Sequence, residues 1–394
     1  MTRSTAFASF LPSVVAIGAL CASAGIAEAG GYVQTDLVSN ISGLATLTDP
    51  QLVNSWGVSF LGPPISSPFW ISDQGTKVTT LYAVTGSTSV TKVNINPPAG
   101  FVGIPPTTAG GPTGQVSNTN PSAFGVGNGG NGMPADFIFA NLNGTISAWN
   151  GGANAIVQWT TPGASYTGLA KNQSQTMLYA ANDSAGTIDV FNSAFAPVAS
   201  PFTTPSAISA LGLVPFNVED IGGSVFVTYA TNAGHVAQTQ ATAGDGAVAV
   251  FNESGVLQQT IVGGPLASPW GVAPAPAGFG PFSGDWLFGN FSYVDPGIQV
   301  FDPKTDSFVG SIAISPGAGQ SAGGLWDLTF GMGGKDGNPL TLYFTDGING
   351  ETDGLFGAVA FVPEPSTWAM MALGFCGLAF AGCRNSRRRA VSVA

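Results

Sequence analysis

One four-strand design is written six times between Trp56 and Val362, and this repetition constrains the fold more than any other feature of the chain. The clearest copy runs from Ser268 to Ile314 as SPWGVAP, WLFGNF, IQVFDP and FVGSIAI, parted by Gly- and Pro-rich turns. Its opening tripeptide recurs as Trp56-Gly57-Val58, Phe124-Gly125-Val126, Thr167-Gly168-Leu169, Phe216-Asn217-Val218, Trp270-Gly271-Val272 and Trp326-Asp327-Leu328. The middle residues lie 68, 43, 49, 54 and 56 positions apart. Second strands follow as FWISD, FIFAN, MLYAAND, VFVTYATN, WLFGN and LYFTD, and third strands as TTLYAV, TISAWN, TIDVFN, AVAVFN, IQVFDP and GAVAFV. A lone sheet of this kind is apolar on both faces and can bury them only against its own copies. The pattern predicts an all-β, six-bladed propeller.

Fourth strands are found after only five units: SVTKVNI, AIVQWTT, PVASPFT, LQQTIVG and FVGSIAI. The sixth unit ends at Val362 without one. The alternating segment Tyr32–Val38 (YVQTDLV) precedes the first repeat and belongs to none, so it is expected to supply the missing outer strand and close the ring. This gives three regions: 1–29, the propeller 30–362, and a tail 363–394.

Charge narrows the partners. Between Gly30 and Val362 the basic residues are Lys77, Lys92, Lys171, Lys304 and Lys335, against 19 Asp and Glu, a balance near −14. Such a surface repels a phosphate backbone, which excludes nucleic-acid binding. The three cysteines, Cys21, Cys376 and Cys383, all fall outside the propeller, so it contains no disulfide, thiol nucleophile or thiolate metal site.

Both ends read as targeting segments. Arg3, an apolar run from Phe10 to Leu20 and the small residues Ala27 and Ala29 before Gly30 have the form of a secretory signal peptide. At the other end Val362-Pro363-Glu364-Pro365 leads into about 17 apolar residues and then RNSRRR. Physically this is a marginal membrane span with a positive cytoplasmic stop. The combination resembles the PEP-CTERM sorting signal of Gram-negative bacteria. That resemblance implies processing by an exosortase, transient anchoring in the inner membrane, and delivery to the envelope or an extracellular matrix, often with exopolysaccharide. The propeller itself is similar to secreted bacterial propellers related to the NHL and gluconolactonase-like groups, on the NSWGV opening at 54, GTIDVFN at 186 and the closing LYFTDG. This second resemblance speaks to fold, because propellers host lactonases, lyases and plain binding modules alike.

Candidate chemistry concentrates at two levels. First strands line a propeller's channel, where crowding favours Gly57, Gly125, Gly168 and Gly271; Asn217 and Asp327 take the other two slots, with Glu219 and Asp220 just after Asn217. Asn217, Glu219 and Asp327 offer oxygens that a hard cation such as Ca²⁺ accepts, or they bond channel water and neighbouring backbone. Asp73, Asn141, Asn182, Asn232, Asn290 and Asp346 close the six second strands, as turn-stabilising residues do. The last of these turns carries Asp346, Asn349, Glu351 and Asp353, a second possible calcium loop, though not with EF-hand spacing.

His235, the only histidine, reads as an exposed residue of the longest second-to-third connection, and GNGGNG at 127 as a flexible turn. The connections 96–121, 231–246, 290–297 and 345–354 emerge on one face, which marks it as the binding side; 127–136, 273–285 and 329–340 lie opposite. These features point to an exported, non-enzymatic propeller with a binding or structural role linked to exopolysaccharide. The alternative is a metal-dependent gluconolactonase-like hydrolase with its cation in the channel.

Overall fold

The computed structural model describes residues 31–96, 98–105, 110–363 and 373–376. Residues 32–362 form one compact unit. Six antiparallel sheets run outward from a common axis, each beginning with an inner strand: Ser55–Ser59, Pro112–Ser117, Tyr166–Lys171, Leu213–Ile221, Pro269–Pro274 and Leu325–Phe330. The outer strand of the sixth blade is Gly31–Ser39, hydrogen-bonded to the last strand, Leu355–Val362, as the alternation of Tyr32–Val38 predicts. Leu37 and Val38 are fully buried at this seam. A short parallel strand, Leu47–Thr48, then covers the edge of Gly31–Ser39. The propeller is six-bladed and mostly β.

Alternating apolar residues place one hydrophobic cluster between each pair of neighbouring blades. Trp70, Phe137 and Trp149 pack between the first and second, and Leu37, Phe69, Tyr343 and Phe356 between the sixth and first. A further cluster lies on the axis, where Trp56, Phe216, Trp270, Phe291 and Trp326 meet. Each inner strand carries a register irregularity at its tripeptide, between Ser55 and Val58, Pro112 and Gln115, Tyr166 and Gly168, Pro215 and Asn217, Pro269 and Val272, and Leu325 and Leu328. A bulge twists its strand and re-aims a side chain, and six at one radius account for aromatic residues converging there.

The second blade corrects the sequence reading. Its inner strand is Pro112–Ser117, with Thr113-Gly114-Gln115 in the tripeptide slot, and Phe124-Gly125-Val126 lies in the connection to the second strand. The middle residues are therefore Gly57, Gly114, Gly168, Asn217, Gly271 and Asp327, at the more even intervals of 57, 54, 49, 54 and 56. Phe124 is instead buried between the second and third blades against Phe195. The 96–121 connection likewise contains Val102–Gly103, paired to the third strand of the first blade, as well as the inner strand Pro112–Ser117.

Contacts at the axis explain the glycines. A methyl group on Gly57 would stand 2.7 Å from the Thr113 carbonyl, one on Gly114 would meet the Leu169 nitrogen, and one on Gly271 would meet the Trp326 carbonyl. Each glycine lets the next blade's backbone approach.

Candidate functional site at the channel mouth

Where a blade has a polar residue at this radius, the side chain reaches a neighbouring blade. Asn217 donates through Nδ2 to the Trp270 carbonyl at 3.0 Å, and the Asp327 carboxylate accepts from the Val58 amide at 2.5 Å and from the Leu328 amide at 2.7 Å. Gln115 donates to the Gly57 and Trp70 carbonyls, Thr113 to the Tyr166 carbonyl and Thr345 to the Trp56 carbonyl. Asn217 and Asp327 thus act as cross-links between blades. Glu219 lies further along the channel, where burial and the nearby Asp327 carboxylate push its proton affinity well up. Asp327 is raised chiefly by its own burial. Among the described residues no three His, Cys, Asp or Glu side chains are grouped to hold a metal ion.

The loop after LYFTD sends its oxygens in different directions. Asp346 is buried beneath it, and burial pushes its carboxyl up to about 7. Asn349 donates to Gln320 and Asp353, while Asp353 also accepts from Asn40 in the segment after the closing strand. Glu351 turns toward the axis. Its φ of +67°, following Asn349 at +57° and Gly350 at +64°, is a left-handed conformation that costs a non-glycine residue on the order of 1 kcal/mol.

That turn brings Glu351 into a pocket of about 310 Å³ at the channel mouth, lined by residues from five blades. Trp56 and Phe216 lie at its apolar end; Asn54, Gln74, Ser165, Thr167, Asp183, Gln238 and His235 supply polar groups. Trp56 stacks on Trp326 with ring centroids 3.4 Å apart and meets Trp270 edge-on at 6.1 Å, so the floor is rigid. The four aromatic first slots, Trp56, Phe216, Trp270 and Trp326, therefore pack together beneath the pocket.

His235 is half-exposed rather than free in its loop. The short helix His235–Thr239 places its Nε2 2.5 Å from Glu351 Oε2, and its ring packs 5.5 Å from Phe291. The hydrogen bond to Glu351 holds the imidazole's pKa above its ordinary value. Tyr293 donates to the same carboxylate oxygen at 2.8 Å, and Asn54 donates to Oε1 at 3.1 Å while accepting from the Trp326 indole at 3.1 Å. A network from the fourth, fifth, sixth and first blades thus clasps one side of the mouth. On the other side Gln238 donates to Asp183 at 2.9 Å, and burial raises the Asp183 carboxyl.

Sequence reasoning missed Asn54, Gln74, Asp183, Gln238 and Tyr293. The length of the 231–246 and 345–354 connections was the available signal, and both deliver residues here. The turn residues at second-strand ends behave mostly as expected: Asn290 accepts from the Ala267 amide and donates to the Pro265 and Asp295 carbonyls, and Asp73 accepts from Ser55 and Thr80.

The C-terminal region decides where the protein goes. The chain carries a PEP-CTERM protein-sorting motif, matched at residues 361–389. This motif marks an exported protein that an exosortase processes and that is sorted to the cell envelope. Val362 ends the last strand and is exposed, so the motif begins where the propeller stops. The expected signal peptide, including Ala27 and Ala29, and the sorting residues Glu364 and Pro365 lie outside the described residues, as does nearly all of the apolar tail. Among the described residues no helix is long and apolar enough to cross a membrane.

The chain is 26% identical across 333 residues to an uncharacterized protein of Acanthamoeba polyphaga mimivirus, covering 82% of this chain and 78% of that one. A second uncharacterized mimivirus protein is 25% identical over 342 residues, covering 82% and 84%. Among solved structures, a structural genomics protein of unknown function from Bacteroides thetaiotaomicron superposes with a TM-score of 0.50 at 11% identity, covering 84% of this chain and 77% of that chain. These likenesses support the fold and bring no activity with them.

Proposed function

We propose that this exported propeller is a non-enzymatic binding module of the cell envelope, and that its ligand is a saccharide of the extracellular matrix seated at the channel mouth. The observation that carries the reading is the pocket itself, in which amide and hydroxyl side chains surround two aromatic residues. Sugar hydroxyls pair with Asn, Gln, Ser and Thr, over a closed floor made by Trp56 and Phe216, which are 3% and 1% exposed. A volume of about 310 Å³ is at the small end for a ligand cleft and suits one or two sugar units. The negative balance of the propeller disfavours polyanions. A larger depression of about 440 Å³ over the second blade is lined by Trp149, glycines, asparagines and aliphatic residues, without a titratable group.

The reading is tested by titrating the full chain with oligosaccharides and following tryptophan fluorescence. Replacing Gln74 or Gln238 with Ala is expected to weaken binding by roughly fivefold each, the equivalent of about 1 kcal/mol per hydrogen bond, and Gln238→Ala is expected to lower the melting temperature as well, because Gln238 is 2% exposed and bonds Asp183. Saturating sugar that leaves fluorescence and heat signals unchanged refutes the reading.

A second reading, a hydrolase with a cation such as Ca²⁺ in the channel, is favoured by Glu219 and Asp327 sharing that space. The engagement of Asp327 and Asn217 with neighbouring backbone supports the first reading instead. Metal analysis of the purified protein, with melting measured with and without Ca²⁺, separates the two.

A further inference from the structure

The pocket treats its two carboxylates unequally. Glu351 has a cation, His235 at 2.5 Å, and further donors in Tyr293 and Asn54. Asp183 has the neutral Gln238 amide as its side-chain hydrogen-bond partner, with His235 acting on it at longer range. Among the described residues neither Lys nor Arg lines the pocket, and the whole propeller contains five lysines and no arginine. A partly buried carboxylate without a cation is unfavourable to ionise, and a bound cation relieves that penalty.

Trp56 lines this pocket but is only 3% exposed, with its ring stacked on Trp326 at 3.4 Å. With the aromatic floor closed, the uncompensated Asp183 carboxylate is the group that favours an ammonium, through ion pairing.

Building on the saccharide reading, we propose that the channel mouth selects sugars bearing a free, protonated amine, such as de-N-acetylated hexosamine units, over their N-acetylated or acidic counterparts. N-acetylation removes the charge that Asp183 lacks, and a uronate adds a like charge to an already negative site.

The test uses the full chain and three oligomers of equal length: glucosamine, N-acetylglucosamine and galacturonic acid. Binding is measured by calorimetry near pH 6, where the amine carries its proton, at low and moderate salt. The glucosamine oligomer is expected to bind about tenfold or more tightly than the acetylated one, and the galacturonate weakest. Asp183→Asn is expected to reduce that preference to about twofold or less, and Asp183→Glu to keep part of it. Equal affinity for the glucosamine and N-acetylglucosamine oligomers overturns the proposal and leaves the saccharide reading standing. A preference that survives in a folded Asp183→Asn protein overturns the role given to Asp183. Failure of all three oligomers to bind overturns both readings. The comparison between sugars needs no variant, so it decides the matter even if the substitutions impair folding.

Discussion

Gly114 and Gly125 look alike in the sequence and differ in what surrounds them. A methyl on Gly114 would run into the Leu169 backbone, whereas one on Gly125 would sit 3.1 Å from the Gly132 carbonyl in a surface connection. Gly114→Ala is therefore expected to destabilise the protein by about 3 kcal/mol or more, and Gly125→Ala by less than about 1 kcal/mol. Chemical denaturation of the two variants checks this, and equal midpoints would contradict the assignment of the second inner strand. The confusion has a physical source. Phe124-Gly125-Val126 has the aromatic, small, aliphatic order of the other tripeptides, while Thr113-Gly114-Gln115 replaces both outer members with polar residues. Those residues are polar because they bond neighbouring blades: Gln115 the backbone of the first, Thr113 that of the third. Hydrophobic pattern was a poor guide at the one blade where hydrogen bonds take over the work of packing.

Strands and their pairing were the most legible level. Period-two alternation, turn residues and a missing fourth strand placed the elements, because each signal is local and each strand must present one face to each neighbouring blade. The closing strand Gly31–Ser39 follows from the same logic, since the edge of Leu355–Val362 would otherwise stand open. Deleting residues 31–39 is expected to cost on the order of 5 kcal/mol from the loss of Leu37 and Val38 alone. It also exposes a sheet edge, so size-exclusion chromatography should show association that the intact chain lacks. A monomeric, equally stable deletion variant would mean that the ring does not depend on this seam. Loop length was a coarser guide. It indicated the face on which the pocket lies, but not that Glu351 leaves its acidic neighbours to meet His235, because that depends on three successive left-handed residues.

Across the whole molecule, buried carboxyl groups set the response to pH. Asp346 is pushed up to about 7 and Asp220 to about 6, and Asp73 and Glu219 are also raised, all chiefly by burial. A carboxyl whose folded pKa exceeds its unfolded value holds its proton more tightly when folded. Stability is then greatest in acid and falls as pH rises from about 4 toward 7, by at most about 1.4 kcal/mol per pH unit for each group. His235, also raised, contributes fully below its ordinary pKa and loses that contribution as pH rises through the folded value. Both effects have the same sign, so the melting temperature is expected to be higher at pH 5 than at pH 8, and Asp346→Asn should flatten the profile. A melting temperature that rises between pH 5 and pH 8 would contradict this assignment. What the sequence by itself determined was the number of blades, the closure of the ring and the sorting motif, because each is written in contiguous residues or in a period that any one copy reveals. Only the tertiary structure decided which side chains meet. The axis gathers one to four residues from each blade, the blades recurring some 50 positions apart in the chain, and their partners are set by blade-to-blade approach and by single turns that no periodicity encodes.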